Sequence, residues 1–155
     1  MKTNRLKDFI SSLKAIEKHP QHPSYVENFE RIVSQIRELK EPKSILLLLQ
    51  FLSDKSEELH LMWSIIHAIE IFDDSIYVTE ILNASNYLIS NSPEWASIIF
   101  MRIINSDESK VELIRQLNQS SLITKKSVKQ IMETINNESP EFLAKTTPIL
   151  IATSL

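Results

Sequence analysis

The amino-acid sequence predicts an all-α protein, and three observations support this fold class. Apolar residues recur at spacings of three and four within segments longer than ten residues, which is the pattern of amphipathic helices. Serine, proline and acidic residues recur between these segments in the order typical of helix starts. The 155 residues contain no glycine, where average usage predicts about 11, so the Asn-Gly turns typical of β-hairpins are absent.

Nine helices follow from these signals. In chain order, we expect them near residues 3–18, 24–40, 42–53, 56–71, 74–90, 93–105, 107–118, 124–137 and 140–152. The first ends before a loop that contains Pro20, and Ser24 with Glu27 forms a capping box that begins the second. Pro42 occupies the first position of the third, where its missing N–H costs nothing. The fourth contains the apolar run 61–72.

The later helices begin at similar signals. Asp73-Asp74 and Asp107-Glu108 place carboxylates at the positive ends of the fifth and seventh helices. Ser92-Pro93-Glu94-Trp95 begins the sixth, and the same order in Ser139-Pro140-Glu141-Phe142 begins the ninth. Three asparagines are expected to end helices in the left-handed conformation that glycine usually adopts, and they are Asn91, Asn118 and Asn137. The eighth helix lies between the last two.

Short loops between helices of this length predict antiparallel neighbours. The two Ser-Pro-Glu-aromatic starts, at Pro93 and Pro140, are 47 residues apart, close to the period of about 40–47 residues of HEAT-like repeats. We therefore expect a single helical domain over residues 1–155, built as a short HEAT-like α-solenoid or irregular helical stack. A globular helix bundle is the alternative.

The composition excludes several classes of site. Without glycine there is no phosphate-binding loop, dinucleotide fingerprint or nucleophile elbow. Without cysteine there are no disulfides, zinc–thiolate sites or thiol nucleophiles, which fits a reducing cytoplasm. Residues 1–8 are followed by no apolar signal-peptide region, and no apolar stretch reaches the roughly 18 residues of a spanning helix. We expect a cytoplasmic protein without a cofactor.

Two histidines of the fourth helix form the best candidate for a metal site. His60 and His67 are one heptad apart, with Trp63 between them and Glu70 one turn further on. This spacing would place imidazoles and a carboxylate around a metal ion, as in a metal-assisted hydrolase. Because no His-Glu-x-x-His motif is present and the Glu-x-x-His order is reversed, we expect a polar stripe beside the core, no metal site and no catalytic residue.

Three further side chains interrupt or occupy apolar runs. Trp63 and Trp95 are expected to pack in the core. Arg102 lies within the apolar segment 98–104, and an unpaired buried charge is very costly. Arg102 therefore either pairs with a carboxylate, for which Glu70 is the candidate, or projects into solvent.

The charge is distributed unevenly along the chain. Residues 1–50 carry a net charge of +3, residues 51–112 a net charge of -8, and residues 113–155 a net charge of +2. The acids of the middle third are either ordinary solvated residues or an acidic surface that attracts basic partners and repels nucleic acid. We expect no nucleic-acid or membrane partner.

Within the acidic third, residues 61–73 (LMWSIIHAIEIFD), 92–96 (SPEWA) and 102–106 (RIINS) resemble a family of small all-helical immunity proteins. These are bacterial antitoxins encoded beside polymorphic toxins, including toxins of contact-dependent growth inhibition. The resemblance implies a protein without catalytic activity that binds and blocks one cognate toxin domain, commonly a nuclease with a basic cleft. It also implies a shared scaffold built by Trp63, His67, Glu70, Trp95, Arg102 and Asn105.

An acidic helical surface suits such a role, because carboxylates replace nucleic-acid phosphates against arginine and lysine. On this reading, the toxin contacts are the exposed acids Glu57, Glu58, Asp73, Asp74, Asp107 and Glu108. The alternative function is a HEAT-like adaptor or regulatory subunit that binds another protein. Gene order distinguishes the two, since an immunity gene lies directly downstream of its toxin gene.

Overall fold

The structure, a computed structural model, describes residues 2–154. This part of the chain forms nine α-helices and no strand, which confirms the all-α prediction. The helices are α1 (Lys2–Glu17), α2 (Tyr25–Leu39), α3 (Ser44–Leu49), α4 (Leu59–Ile69), α5 (Asp74–Asn91), α6 (Pro93–Ile104), α7 (Asp107–Leu117), α8 (Leu122–Glu138) and α9 (Leu143–Thr153). A one-turn 3₁₀ helix, Pro140–Phe142, precedes α9. No helix in the described part is both long and apolar enough to cross a membrane.

The chain divides into two compact units, Met1–Asp73 and Asp74–Leu155. In the first unit, α2 packs on α1 and α4, and the short α3 packs on the same two helices. In the second unit, α8 packs on α5, α6 and α9, and α7 packs on those three helices as well. A single domain and a HEAT-like arrangement remain predictions.

Helical spacing of apolar residues builds the core of each unit. In α1, Leu6, Ile10 and Leu13 are buried, at intervals of four and three that place them on one face. In the second unit, α6 is buried on more than one face, because α5, α7 and α8 all pack against it. Trp95 is 4% exposed and Phe100 is fully buried. Removing such apolar surface from water is the main stabilising contribution to folding.

Several helix ends differ from the sequence prediction. Ser24 begins α2, but its hydroxyl caps no backbone amide, so the predicted capping box with Glu27 is wrong. The reason is local: the Ser24 N–H donates to Nδ1 of His22 at 3.0 Å, and its ψ of 17° is not the extended conformation of a capping residue. Pro42 lies in a turn before α3, where Ile45 N–H donates to its carbonyl at 3.1 Å.

The predicted left-handed asparagines are also not found. Asn118 is right-handed, with a φ of -59°. Within residues 2–154, Lys40 is the one residue with positive φ, at 51°, and its N–H donates to the Arg37 carbonyl at 3.1 Å to end α2. The starts at Pro93 and Pro140 are confirmed, although the second opens as a 3₁₀ turn.

Candidate partner-binding surface

The first turns of α5 and α7 lie side by side in the second unit. Ser109 Oγ donates a 2.6 Å hydrogen bond to Oδ1 of Asp74, the first residue of α5. Gln116 Nε2 donates to the Ser75 carbonyl at 3.0 Å, and Thr79 Oγ1 donates to Gln116 Oε1 at 2.9 Å. These bonds hold the beginning of α5 against α7.

This contact brings together three of the predicted partner-binding residues, Asp74, Asp107 and Glu108, which we name the α5/α7 acidic end. Asp107 and Glu108 are exposed, and neither side chain has a hydrogen bond or ion pair with any residue that the structure describes. Carboxylates at a helix N-terminus are stabilised by the helix dipole by about 0.3–1 kcal/mol each. Asp107 and Glu108 therefore present their charges to solvent, whereas Asp74 is half-buried and has Ser109 as its hydrogen-bond partner.

Glu112, one turn after Glu108, has its own partners within α7. Arg115 donates to its two oxygens at 3.0 and 2.5 Å, and Gln116 Nε2 donates at 2.7 Å. The hydrogen bonds from Arg115 and then Gln116 lower the pKa of Glu112 to about 2. Glu112 is thus ionised at neutral pH, but its charge is offset by Arg115, unlike the charges of Asp107 and Glu108.

The other three predicted contact residues belong to the first unit and are all exposed. Glu57 and Glu58 precede α4, and the Glu58 backbone N–H donates to Ser56 Oγ at 3.1 Å. Asp73 directly precedes Asp74 in the chain. Their exposure leaves these carboxylates accessible, and their contact with a partner stays a prediction.

The histidine stripe of α4 faces α2. His60 Nε2 contacts Oε1 of Glu30, and both residues line a cavity of about 270 Å³ together with Arg37 and His67. In residues 2–154, no three His, Asp or Glu side chains form a group able to hold a metal ion. His60 therefore has a carboxylate partner on α2, Glu30, which the sequence analysis did not predict.

Comparison with protein families adds an observation independent of this geometry. A family model described as Immunity protein 30 matches residues 12–113, more than half of the chain. The chain belongs to the Immunity protein 30 family. The match includes Asp74, Asp107 and Glu108, and it confirms the resemblance to immunity proteins that the sequence indicated. No curated protein and no solved structure matches the chain.

The two tryptophans of this Immunity protein 30 member differ in burial. Trp95 packs in the core of the second unit, as predicted. Trp63 is only half-buried, and its ring centroid lies 6.0 Å from that of the exposed His67. Trp63 lies on the same side of α4 as His60 and His67, whose side chains are exposed, and this agrees with its partial exposure.

The remaining residues of the predicted scaffold lie at helix ends. Arg102 is exposed and lies in the last turn of α6. Glu70 is half-buried and ends α4, while Asn105 ends α6 and accepts a hydrogen bond from Lys145 Nζ. A pairing of Arg102 with Glu70 stays a prediction, as does the scaffold role of the set.

Sequence reasoning missed the polar residues that organise this surface. The sequence analysis did not single out Ser109 or Gln116, because spacing within one helix does not indicate which other helix lies beside it. It also missed a cavity beside Tyr25. A tyrosine next to two histidines and two prolines, in residues 19–25, was the available signal.

Proposed function

We propose that this Immunity protein 30 member binds a cognate toxin domain, a nuclease with a basic cleft, and neutralises it. The observation that carries the proposal is the family match over residues 12–113. Immunity proteins act on the toxins with which they are encoded, so the family supplies the class of partner. The finer parts of the proposal rest on charge and exposure.

The α5/α7 acidic end supports a basic partner. Asp107 and Glu108 are exposed carboxylates without a partner among the described residues, so a toxin arginine or lysine displaces only water when it binds them. Charge-assisted hydrogen bonds are about twice as strong as neutral ones. We propose that Glu57, Glu58 and Asp73 extend the same kind of contact. In a nuclease cleft, these carboxylates take the places of substrate phosphates.

The proposed mode of action is binding without catalysis. A cleft occupied by protein carboxylates excludes nucleic acid by charge and by volume, and no step of bond breaking is required. We place this action in the cytoplasm, where a nuclease toxin of a contact-dependent system meets its substrate. Electrostatic attraction between the two surfaces also raises the association rate, which favours capture of the toxin before it acts.

The first experiment uses the protein encoded directly upstream of this gene. Its C-terminal domain is produced with and without the immunity protein, and nucleic-acid cleavage and complex formation are measured. We expect a stable complex and loss of cleavage when both are present. Failure of the purified proteins to associate, with cleavage unchanged, would contradict toxin neutralisation.

Two double variants that remove charges then test the α5/α7 acidic end. D107N/E108Q removes two charges without placing a lysine at the positive end of α7, and we expect association to slow several-fold at low salt. The difference should vanish near 1 M salt, where the Debye length is about 3 Å. The control, E133Q/E138Q, removes two exposed charges from α8. Equal slowing by both variants would indicate an effect of net charge and not of the α5/α7 acidic end.

A further inference from the structure

Two polar stripes, one on α2 and one on α4, line the same cavity in the first unit. They consist of Glu30, Ser34 and Arg37 on α2 and of His60, Ser64 and His67 on α4. Within each stripe the intervals are four and three residues, which place its members on one side of the helix. The buried residues Val33 and Ala68 complete the lining of this cavity of about 270 Å³. The cavity therefore combines hydrogen-bonding groups from two helices with a small apolar area, as ligand sites do.

Hydrogen-bond donors predominate in this lining. A guanidinium, such as that of Arg37, has five N–H donors and no acceptor, and a neutral imidazole has one donor. Glu30 is the one carboxylate that lines the cavity. Its Oε1 atom is buried and contacts Nε2 of His60, so the charge of Glu30 has a partner within the lining itself. The remaining donors favour a ligand that supplies acceptors.

Arg37 is the cation of the cavity whose donors are open. Its side chain is exposed and makes no hydrogen bond or ion pair with any residue in the described part of the chain. Its place in the last turn of α2 suits the helix dipole, but this role uses none of its donors. Arg37 and Ser34 also line a second cavity, of about 380 Å³, together with Glu38, Lys40 and Ile71. The guanidinium thus borders two cavities, and a carboxylate is the ligand that matches its planar set of donors.

The two histidines of the cavity are restrained by neighbouring side chains. His60 contacts Glu30 across the two helices, and the ring centroid of His67 lies 6.0 Å from that of Trp63. Side chains that are already restrained lose less entropy when a ligand binds. The imidazole of His67 is therefore placed beside the cavity before any partner arrives.

We propose that the cavity between α2 and α4 receives an acidic side chain of the toxin, with its carboxylate on Arg37 and His67 and its methylene stem against Val33 and Ala68. The apolar part of the lining favours a side chain over a free phosphate ion, which has no apolar group to bury. The inference rests on the proposed function for the identity of the partner. Recognition through this cavity and through the α5/α7 acidic end uses charges of both signs, which adds specificity to electrostatic attraction.

The cavity is tested first without the toxin. N-acetylglutamate amide is titrated into ¹⁵N-labelled protein, with the uncharged N-acetylglutamine amide and inorganic phosphate as comparisons. We expect saturable chemical-shift changes at Ser34, Arg37 and His67, with binding of the glutamine analogue about ten-fold weaker, equivalent to about 1.4 kcal/mol. Phosphate should bind no more tightly than the glutamate analogue. Absence of saturation, equal binding of the glutamine analogue, or tighter binding of phosphate would overturn the proposal.

Two variants of opposite charge then test the sign of the ligand. R37Q removes the open cation and should weaken binding of N-acetylglutamate amide about ten-fold. E30Q removes the one carboxylate of the lining and should not weaken it. The matched control is R31Q, an exposed arginine of the same helix that lines neither cavity. Equal loss in R37Q and R31Q, or a loss in E30Q with none in R37Q, would overturn the proposal.

Binding of the toxin separates this inference from the proposed function. S34F places a ring in the shared wall of the two cavities and leaves every charge in place, and S11F adds the same ring to an exposed position of α1, outside both linings. We expect R37Q and S34F to weaken the toxin complex by about ten-fold or more, and R31Q and S11F to leave it unchanged. Wild-type affinity of both R37Q and S34F would overturn the cavity as a toxin contact and leave neutralisation standing. No toxin binding by the wild-type protein would contradict the proposed function, and the glutamate titration would still decide what the cavity binds.

Discussion

Ser109 Oγ lies 2.6 Å from Asp74 Oδ1, and this hydrogen bond joins the first turn of α7 to the first residue of α5. The two residues are 35 positions apart in the chain. Asp74 is therefore both part of the α5/α7 acidic end and a structural link between two helices. Asp107 and Glu108 have no such second role, which makes them the cleaner positions for testing partner binding.

The S109A variant tests the structural link. Hydrogen bonds to charged groups contribute about 1.5–3 kcal/mol, and this one is partly exposed, so we expect a loss of about 1–2 kcal/mol in the free energy of unfolding. Urea denaturation measures it. S11A, at an exposed serine of α1, corrects for the higher helix propensity of alanine. Equal stability of S109A and S11A would show that the bond contributes nothing.

The Glu112–Arg115 pair predicts a defined pH dependence. The pKa of Glu112, about 2, lies below the usual 4.5. The stabilising effect of the pair is therefore complete above pH 4.5 and is lost as the pH falls through about 2. Since the pair lies at the surface, we expect about 1 kcal/mol or less. In R115Q, side-chain ¹³C NMR should find the pKa of Glu112 moved back toward its usual value. An unchanged pKa in R115Q would mean that Gln116 alone stabilises the carboxylate.

The two tryptophans predict unequal costs of truncation. W95A removes a side chain that is 4% exposed and should cost about 3–5 kcal/mol through lost packing. W63A removes a ring that is only half-buried and should cost about 2 kcal/mol or less. Denaturant unfolding of both variants gives the comparison. If W63A lowers the free energy of unfolding as much as W95A does, Trp63 contributes to stability as a core residue.

Lys40 offers a stabilising substitution in a chain without glycine. Its φ of 51° lies in the left-handed region, which costs a residue with a Cβ about 1–2 kcal/mol. After the greater unfolded-state entropy of glycine is subtracted, we expect K40G to raise stability by about 0.5–1 kcal/mol. K40A removes the same charge but keeps the Cβ. If urea denaturation finds K40G no more stable than K40A, the left-handed conformation of Lys40 does not reduce the stability of the protein.

Apolar periodicity and helix-start signals predicted the helices well, because both depend on residues within one turn of each other. The starts at Pro93 and Asp107 follow from proline geometry and from the helix dipole. The predicted capping box at Ser24 failed for the same kind of local reason, since His22 supplied a competing acceptor. The prediction that Trp63 packs in the core was wrong, because an apolar run does not indicate which face of the helix has a neighbour.

The candidate site was predictable only in part. Residue type and position correctly indicated that Asp107 and Glu108 are exposed acids. Neither indicated that Asp74 accepts a hydrogen bond from Ser109, or that Ser75 and Thr79 of α5 are hydrogen-bonded to Gln116 of α7. These relationships depend on contacts between helices that are far apart in the chain.

The sequence by itself determined the all-helical class, the approximate helix boundaries, the acidic middle third and the immunity-protein resemblance. Each of these depends on composition or on neighbours along the chain. Only the tertiary structure decided which carboxylates share a surface, which tryptophan is buried and where a cavity opens. The physical reason is that helix formation is governed by backbone hydrogen bonds over four residues, whereas a binding surface is made by side chains that packing brings together from distant helices.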